Sequence, residues 1–280
     1  MAYLGSRGVP APKVYFFDSS ARNSLGIEFT IQEYIQKSAT LTSVLNVINS
    51  HAVSKLYILE AVKLQQTIWN AGGDFDQSGS LYCDWDSETK DYFVGPMVDP
   101  EFFAPLLEGS RFQYGPFGSW RDVVGAFIST REGRDWDACE DADGIRSRLP
   151  PCEVTGEQLR AKIREIDAMP DATPDLTFKP RLVHWDMHGE NILVRVTDGA
   201  DIEIAALIDW DAVVIEPAGI CRSIMPACAL EFQRDLDLAR REFNLPAEWF
   251  SEKASAAKEY LTAHIPFFYL DKQVRVKKSK

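Results

Sequence analysis

The 280-residue sequence predicts an α+β fold in which a few amino-terminal strands lead into a largely helical body. Three observations predict it. Segments rich in β-branched and aromatic residues cluster ahead of residue 36, where strands are favoured. Apolar residues at helical spacing dominate from Ser50 onward. Two short strands in the middle of that helical body carry the polar groups that matter.

Taken in order, Lys13–Phe17 and Ile27–Ile35 read as strands, and Asn23-Ser24-Leu25-Gly26 between them supplies turn chemistry for an antiparallel pair. A helix is expected over about Ser50–Asn70, with Tyr57, Ala61, Leu64 and Ile68 on one face and Ala71-Gly72-Gly73 ending it. Gly79–Cys83 and Asp91–Val94 read as a second hairpin, closed by Gly95-Pro96. Arg134–Pro151 is acidic and irregular, an exposed loop. Thr155 stands three residues before Gln158, which predicts a capping box. The helix it starts carries Leu159, Ile163, Ile166 and Met169 on one face and ends near Pro170. Further helices are expected around Cys228–Phe243 and Ala247–His264, followed by a short basic tail.

Composition excludes several function classes. Apolar residues form 45% of the chain, so a sizeable core can be buried. Thirty Lys+Arg against 42 Asp+Glu give a net charge of −12, which disfavours nucleic acid and anionic membranes as partners and suits a cationic ligand. No apolar run approaches the ~18 residues of a membrane span. The opening residues lack a basic region followed by an apolar stretch, so no signal peptide is expected. The five cysteines are odd in number and include no CxxC pair, which points to reduced thiols in a cytoplasmic protein.

The chemistry concentrates in residues 181–211. Asp186 and Asn191 fall in a loop flanked by Leu182-Val183 and Ile192-Leu193-Val194. A second strand, Ile202–Ile208, ends at Asp209-Trp210-Asp211. Pairing Ile192–Val196 with Ile202–Ile208 as a hairpin brings Asn191 and Asp209 to the same open end, with Asp186 just before it. Hard divalent cations such as Mg²⁺ take oxygen ligands, so Asn191 and Asp209 suit a metal. Asp186 is then free to accept a proton from a hydroxyl attacking a phosphate, the division of labour in kinase-type phosphoryl transfer.

His184-x-Asp186-x-x-x-x-Asn191, followed by Ile208-Asp209-Trp210, resembles the paired motifs of the aminoglycoside phosphotransferase family. Pro12-Lys13-Val14, Glu33-Tyr34-Ile35, Gly79-Ser80-Leu81-Tyr82 and Gly115-Pro116-Phe117 resemble features of its fungal branch, so the likeness covers roughly residues 9–265. It implies a protein-kinase-like fold, with residues 1–35 as strands and hinge of the β-rich N-terminal lobe and residues 36–280 as the helical C-terminal lobe. It implies ATP and Mg²⁺ as cofactors and a small-molecule hydroxyl as acceptor. Asp186 would be the catalytic base and Asn191 and Asp209 the metal ligands. His184 would brace the loop. Glu33 and Ile35 would lie on the hinge that binds adenine, with Leu193 and Ile208 in the apolar floor beneath it.

Two substitutions depart mildly from the family pattern, Trp185 for its usual Gly and Asp211 for its usual Glu. A larger departure is the stretch ahead of Glu33, which holds Gly5 and Gly8 but no glycine-rich loop, and Lys13 as its sole lysine. The expectation is a kinase fold with most of its amino-terminal lobe missing and an activity impaired accordingly. The alternative is a catalytically inactive remnant or binding protein. A metal hydrolase built on His184, Asp186 and His188 is a third and weaker reading. Asp74–Ser80 imitates half of a calcium loop, but Trp85 occupies the position where a bidentate Glu is required. Glu140, Asp141 and Asp143 read as a solvated loop rather than a cation-binding cleft mouth.

Overall fold

A computed structural model describes residues 1–47, 60, 63–84, 87–88, 91–98, 114–132, 155–170, 178–184, 186–196, 202–218, 253, 256–257 and 260. In chain order the elements are α1 (Ala2–Ser6), β1 (Val14–Asp18), β2 (Phe29–Gln32), β3 (Ala39–Thr40), α2 (Leu41–Val47) and α3 (63–71). Then come β4 (Ser80–Cys83), β5 (Tyr92–Gly95), α4 (Trp120–Glu132) and α5 (Gly156–Asp167). β6 (Pro180–His184), β7 (Ile192–Val196), β8 (Ile202–Leu207), a 3₁₀ turn (Trp210–Ala212) and β9 (Val213–Pro217) complete the described chain. These elements fall into two compact units. Among the described residues, one is built from Met1–Asp74 and Leu182–Val213, the other from Phe75–Arg181 and the remaining segments.

In the first unit, β1 and β2 pair antiparallel, as the turn chemistry predicts. Asn23 makes that turn: its Oδ1 accepts from Leu25 N–H, its Nδ2 donates to the Ile27 carbonyl, and Gly26 takes φ 70°, where a side chain would be strained. The hairpin exposes Tyr15, Phe16, Phe17 and Ile31. A separate sheet runs in the order β3-β7-β8, with Leu193 opposite Thr40 on one side and Ala206 on the other. The register shifts between Leu193 and Val194, which leaves Ala205 as an extra residue in β8.

Alternation along β7 buries Ile192 and Val194. Leu64 and Ile68 of α3 are buried as expected, whereas Tyr57 and Ala61 lie outside the described residues. Each such aliphatic side chain contributes about 1.5–3 kcal/mol on burial. Helix α3 ends at the predicted glycines, and Gly72 lies directly under β6. A Cβ there would stand 2.5 Å from the Leu182 backbone nitrogen. Backbone cannot yield cheaply, so Gly72→Ala is expected to cost about 1–3 kcal/mol by overpacking. A urea midpoint equal to that of the unmodified protein would show that no such approach exists.

In the second unit, β4 and β5 form the predicted hairpin, Ser80 opposite Gly95 and Cys83 opposite Tyr92. The capping box at Thr155 and Gln158 is present, and α5 buries Leu159, Ile163 and Ile166. Asp167 at its end accepts from Trp120 Nε1–H at 3.0 Å and pairs with Arg121 at 3.1 Å, fastening α5 to α4. Helix α4 is absent from the sequence-based expectations, as are α1, α2, β3 and β9. The acidic segment 134–151, the helix expected at 228–243 and four of the five cysteines lie outside the described residues. Of the helix expected at 247–264, residues 253, 256, 257 and 260 are described, and all are helical.

Candidate active site

The candidate residues between 184 and 209 all belong to the first unit. Strand β6 delivers His184 to the head of the loop, fully buried. A carbonyl can only accept, so the contact at 3.1 Å requires His184 Nε2–H to donate to the Ile208 carbonyl at the end of β8. The ring meets Trp210 edge-on at 4.9 Å, and Trp210 Nε1–H returns to the Leu207 carbonyl at 2.6 Å. One buried imidazole thus ties the start of the loop to the end of the hairpin.

Burial pushes the His184 pKa below the ordinary histidine value. The Ile208 carbonyl and the charges of Asp186 and Asp209 oppose that shift without overcoming it. The unfolded chain therefore binds a proton here first as pH falls. The stability linked to His184 is complete above its unfolded pKa of about 6.5 and declines as pH drops through that value. His184→Asn is expected to flatten this acid limb. Urea midpoints of the two proteins that fell in parallel from about pH 7.5 to about pH 5 would contradict it.

Past His184 the backbone doubles back, with His188 N–H donating to the Asp186 carbonyl at 3.0 Å and Asn191 N–H to the His188 carbonyl at 2.9 Å. The Asn191 side chain then clamps the loop. Its Nδ2 donates both to the Asp186 carbonyl at 2.9 Å and to Asp186 Oδ2 at 3.0 Å. Asn191 is buried, whereas about half of the Asp186 side chain reaches solvent. Its other oxygen, Oδ1, lies 3.3 Å from His188 Nε2. Asn191 also accepts Ile208 N–H on its carbonyl at 2.9 Å, which places Asp209 one residue beyond a direct link to the clamp. Asp209 is exposed and adopts φ 60°, ψ 59°, the left-handed region.

Across the loop, Gly189 accepts Thr42 N–H at 3.2 Å on its carbonyl, and a Cβ at 189 would stand 2.5 Å from Thr42 Oγ1. Helix α2 therefore abuts the loop at a position where the glycine is needed for room.

Leu193 and Ile208 come onto one face. Ile192 pairs with Leu207, so their successors both turn to the opposite side of the sheet, and both are half-buried. Glu33 and Ile35 follow β2 directly. Glu33 N–H donates to the Lys13 carbonyl at 2.7 Å, and the Ile35 carbonyl accepts Ser38 Oγ–H at 2.8 Å. Arg195 Nε–H of β7 reaches the Gln36 carbonyl at 3.3 Å, fastening this segment to the strand that carries Leu193. Arg195, His188 and Thr42 have roles in this geometry that the motif spacing does not reveal. Among the described residues, no three His, Cys, Asp or Glu side chains gather as a metal-holding group, so His184, Asp186 and His188 do not form the hydrolase centre considered above.

A sequence model of the phosphotransferase enzyme family matches residues 1–220. The chain belongs to that family, the aminoglycoside phosphotransferases its paired motifs resemble. Viomycin phosphotransferase from Streptomyces vinaceus is 38% identical over 131 residues, 44% of this chain and 43% of that protein. Altered inheritance of mitochondria protein 9 from Yarrowia lipolytica is 20% identical over 228 residues, 74% of this chain and 39% of that protein. The chain thus spans less than half the length of these curated relatives. A solved aminoglycoside phosphotransferase, a thermostable mutant in ternary complex with AMP-PNP and hygromycin B, shares 16% identity over 95% of this chain and 79% of its own, with a TM-score of 0.45. No helix among the described residues is long and apolar enough to cross a membrane.

Proposed function

We propose that the protein is a small-molecule phosphotransferase that uses ATP and Mg²⁺, with Asp186 as general base. The observation that carries this reading is the clamp in which Asn191 fixes both the backbone and the carboxylate of Asp186 while leaving that carboxylate half-open to solvent. In the reaction an acceptor hydroxyl oxygen bonds to the γ-phosphorus, the bond to the β–γ bridging oxygen breaks, and ADP leaves. The hydroxyl proton passes to Asp186. A base of this kind contributes ~10²–10⁴-fold when it is held within hydrogen-bond reach.

The donor set fits a hard divalent cation. Asn191 has committed its NH₂ to Asp186, so its Oδ1 is the atom free to face a ligand, and Asp209 adds an exposed carboxylate oxygen. Bound there, the ion would offset charge developing on the phosphates. Leu193 and Ile208 offer an apolar face to the adenine ring. With Glu33 N–H and the Ile35 carbonyl already engaged, the hinge roles fall to the Glu33 carbonyl and the Ile35 N–H. On this reading residues 1–35 supply the strands and hinge, and residues 36–280 supply the helical lobe.

The net charge of −12 favours an acceptor bearing amines. Viomycin and hygromycin B, named for the relatives above, are therefore the first acceptors to try. A second reading, nucleotide binding with slow or no transfer, is favoured by Lys13, whose ammonium lies over the Tyr15 ring at 5.6 Å instead of being directed toward the loop's carboxylates. ATP titration with and without Mg²⁺, followed by ADP release with either antibiotic, separates the two. Tight Mg²⁺-dependent binding without ADP release selects the second, and no binding removes both.

A further inference from the structure

The structure assigns to His188 the role of a positioning residue that holds the Asp186 carboxylate through a hydrogen bond from Nε2–H to Oδ1. This rests on Asp186 being the base. The argument starts from the backbone. Glu190 N–H donates to His188 Nδ1 at 3.2 Å, so in the neutral ring Nδ1 carries the lone pair and the proton sits on Nε2. Nε2 stands 3.3 Å from Asp186 Oδ1, a long contact within reach of a hydrogen bond. The loop fold itself therefore selects the tautomer, since the residue two positions past the histidine supplies the selecting N–H.

The Asn191 amide grips Oδ2 at 3.0 Å, and on this assignment the His188 ring, 3.3 Å from Oδ1, grips the other oxygen. With one grip alone, the carboxylate can turn about its bond to Cβ. With two, its plane is fixed, and each oxygen retains a further lone pair for an acceptor hydroxyl. Half of the side chain faces solvent, so packing alone does not restrain it. The longer contact from Asn191 Nδ2 to His188 Nε2, at 3.5 Å, would need the lone pair on Nε2 instead. The shorter Glu190 bond at 3.2 Å decides the tautomer, and the Asn191 NH₂ has nearer acceptors on Asp186. His188 is only partly buried, and its removal leaves the Asn191 clamp in place.

The test has two arms on the full chain. In the first, ADP release is followed with Mg²⁺-ATP and viomycin for the unmodified protein, His188→Ala and His188→Gln, with Asp186→Ala as the baseline. Misorienting a reacting group costs up to about 10²-fold, so His188→Ala is expected to lower kcat by roughly 10- to 100-fold with the KM for ATP unchanged. Gln, which places an N–H near the position of Nε2, is expected to recover most of that loss. A raised KM with unchanged kcat, or Gln as slow as Ala, overturns the assignment. In the second arm, nitrogen-15 spectra of the side chains are recorded on the resting protein, whose four histidines keep them simple to assign. His188 is expected to carry its proton on Nε2, with a signal that shifts in Asp186→Ala. A proton on Nδ1, or a signal indifferent to Asp186→Ala, overturns the assignment without any turnover being needed. An unmodified protein no faster than Asp186→Ala refutes the proposed function instead, and the spectra still decide whether the bond exists.

Discussion

Replacing Asp186 with Asn is expected to lower phosphotransfer by roughly 10²–10⁴-fold while leaving the melting temperature and the affinity for Mg²⁺-ATP near those of the unmodified protein. Asn keeps the shape of the side chain and retains one oxygen that can accept, but it cannot take up the acceptor's proton. The Asn191 clamp also survives, because one of its two bonds goes to the Asp186 backbone carbonyl. A loss confined to kcat is the mark of a group acting in the transition state. If Asp186→Asn retained near-full turnover, another group would have to be the base, and the reading of the loop would fall with it.

Replacing Asp209 with Asn should act on a different quantity. The substitution removes the charged oxygen offered to the metal and keeps a neutral one. Nucleotide affinity in Mg²⁺ is expected to fall by about 10- to 100-fold, the range seen when even an outer partner of a metal site is lost. Affinity measured in a chelator is expected to be unchanged, since no ion is then held. Equal weakening in Mg²⁺ and in chelator would show that Asp209 touches the nucleotide itself or shapes its pocket. Unchanged affinity in both would remove it from the site.

The central hairpin was legible in the sequence because its information is local. Ile192–Val196 and Ile202–Leu207 alternate within a short span, and turn residues separate them. The spacing of Asp186, Asn191 and Asp209 was legible for the same reason. The extra residue at Ala205 was not, since a register shift depends on which partners the neighbouring strands present. Helix α4 buries Val123, Val124, Phe127 and Ile128, a helical repeat present in the sequence, and it starts just after Ser119, whose Oγ accepts Asp122 N–H at 3.3 Å. This Ser-x-x-Asp start signal was as legible as the one at Thr155. Strand β3 is two residues long and exists only because β7 pairs with it, so no local pattern could announce it. Within the site, the contact of Gly189 with Thr42 and the bond from Arg195 to Gln36 join segments far apart in the chain. The spacing of His188 suggests a metal ligand, and its nearness to Asp186 emerges only once the loop's turns are closed by their backbone bonds.

The left-handed backbone at Asp209 bears on how this site could be explored by saturation mutagenesis. Most side chains placed at φ 60° incur roughly 1–2 kcal/mol, whereas Gly incurs almost none and Asn little. A library of all twenty residues sorted for abundance should therefore enrich Gly and Asn at position 209, leaving the bulky and β-branched residues depleted. The same library sorted for turnover should keep Asp and discard both winners of the first sort. Position 209 would thus rank oppositely in two screens of one pool. At His184, by contrast, burial makes folding and turnover fail together, so the two rankings would agree. Divergence between the screens would then separate residues that serve the reaction at a cost to the fold from those that serve both.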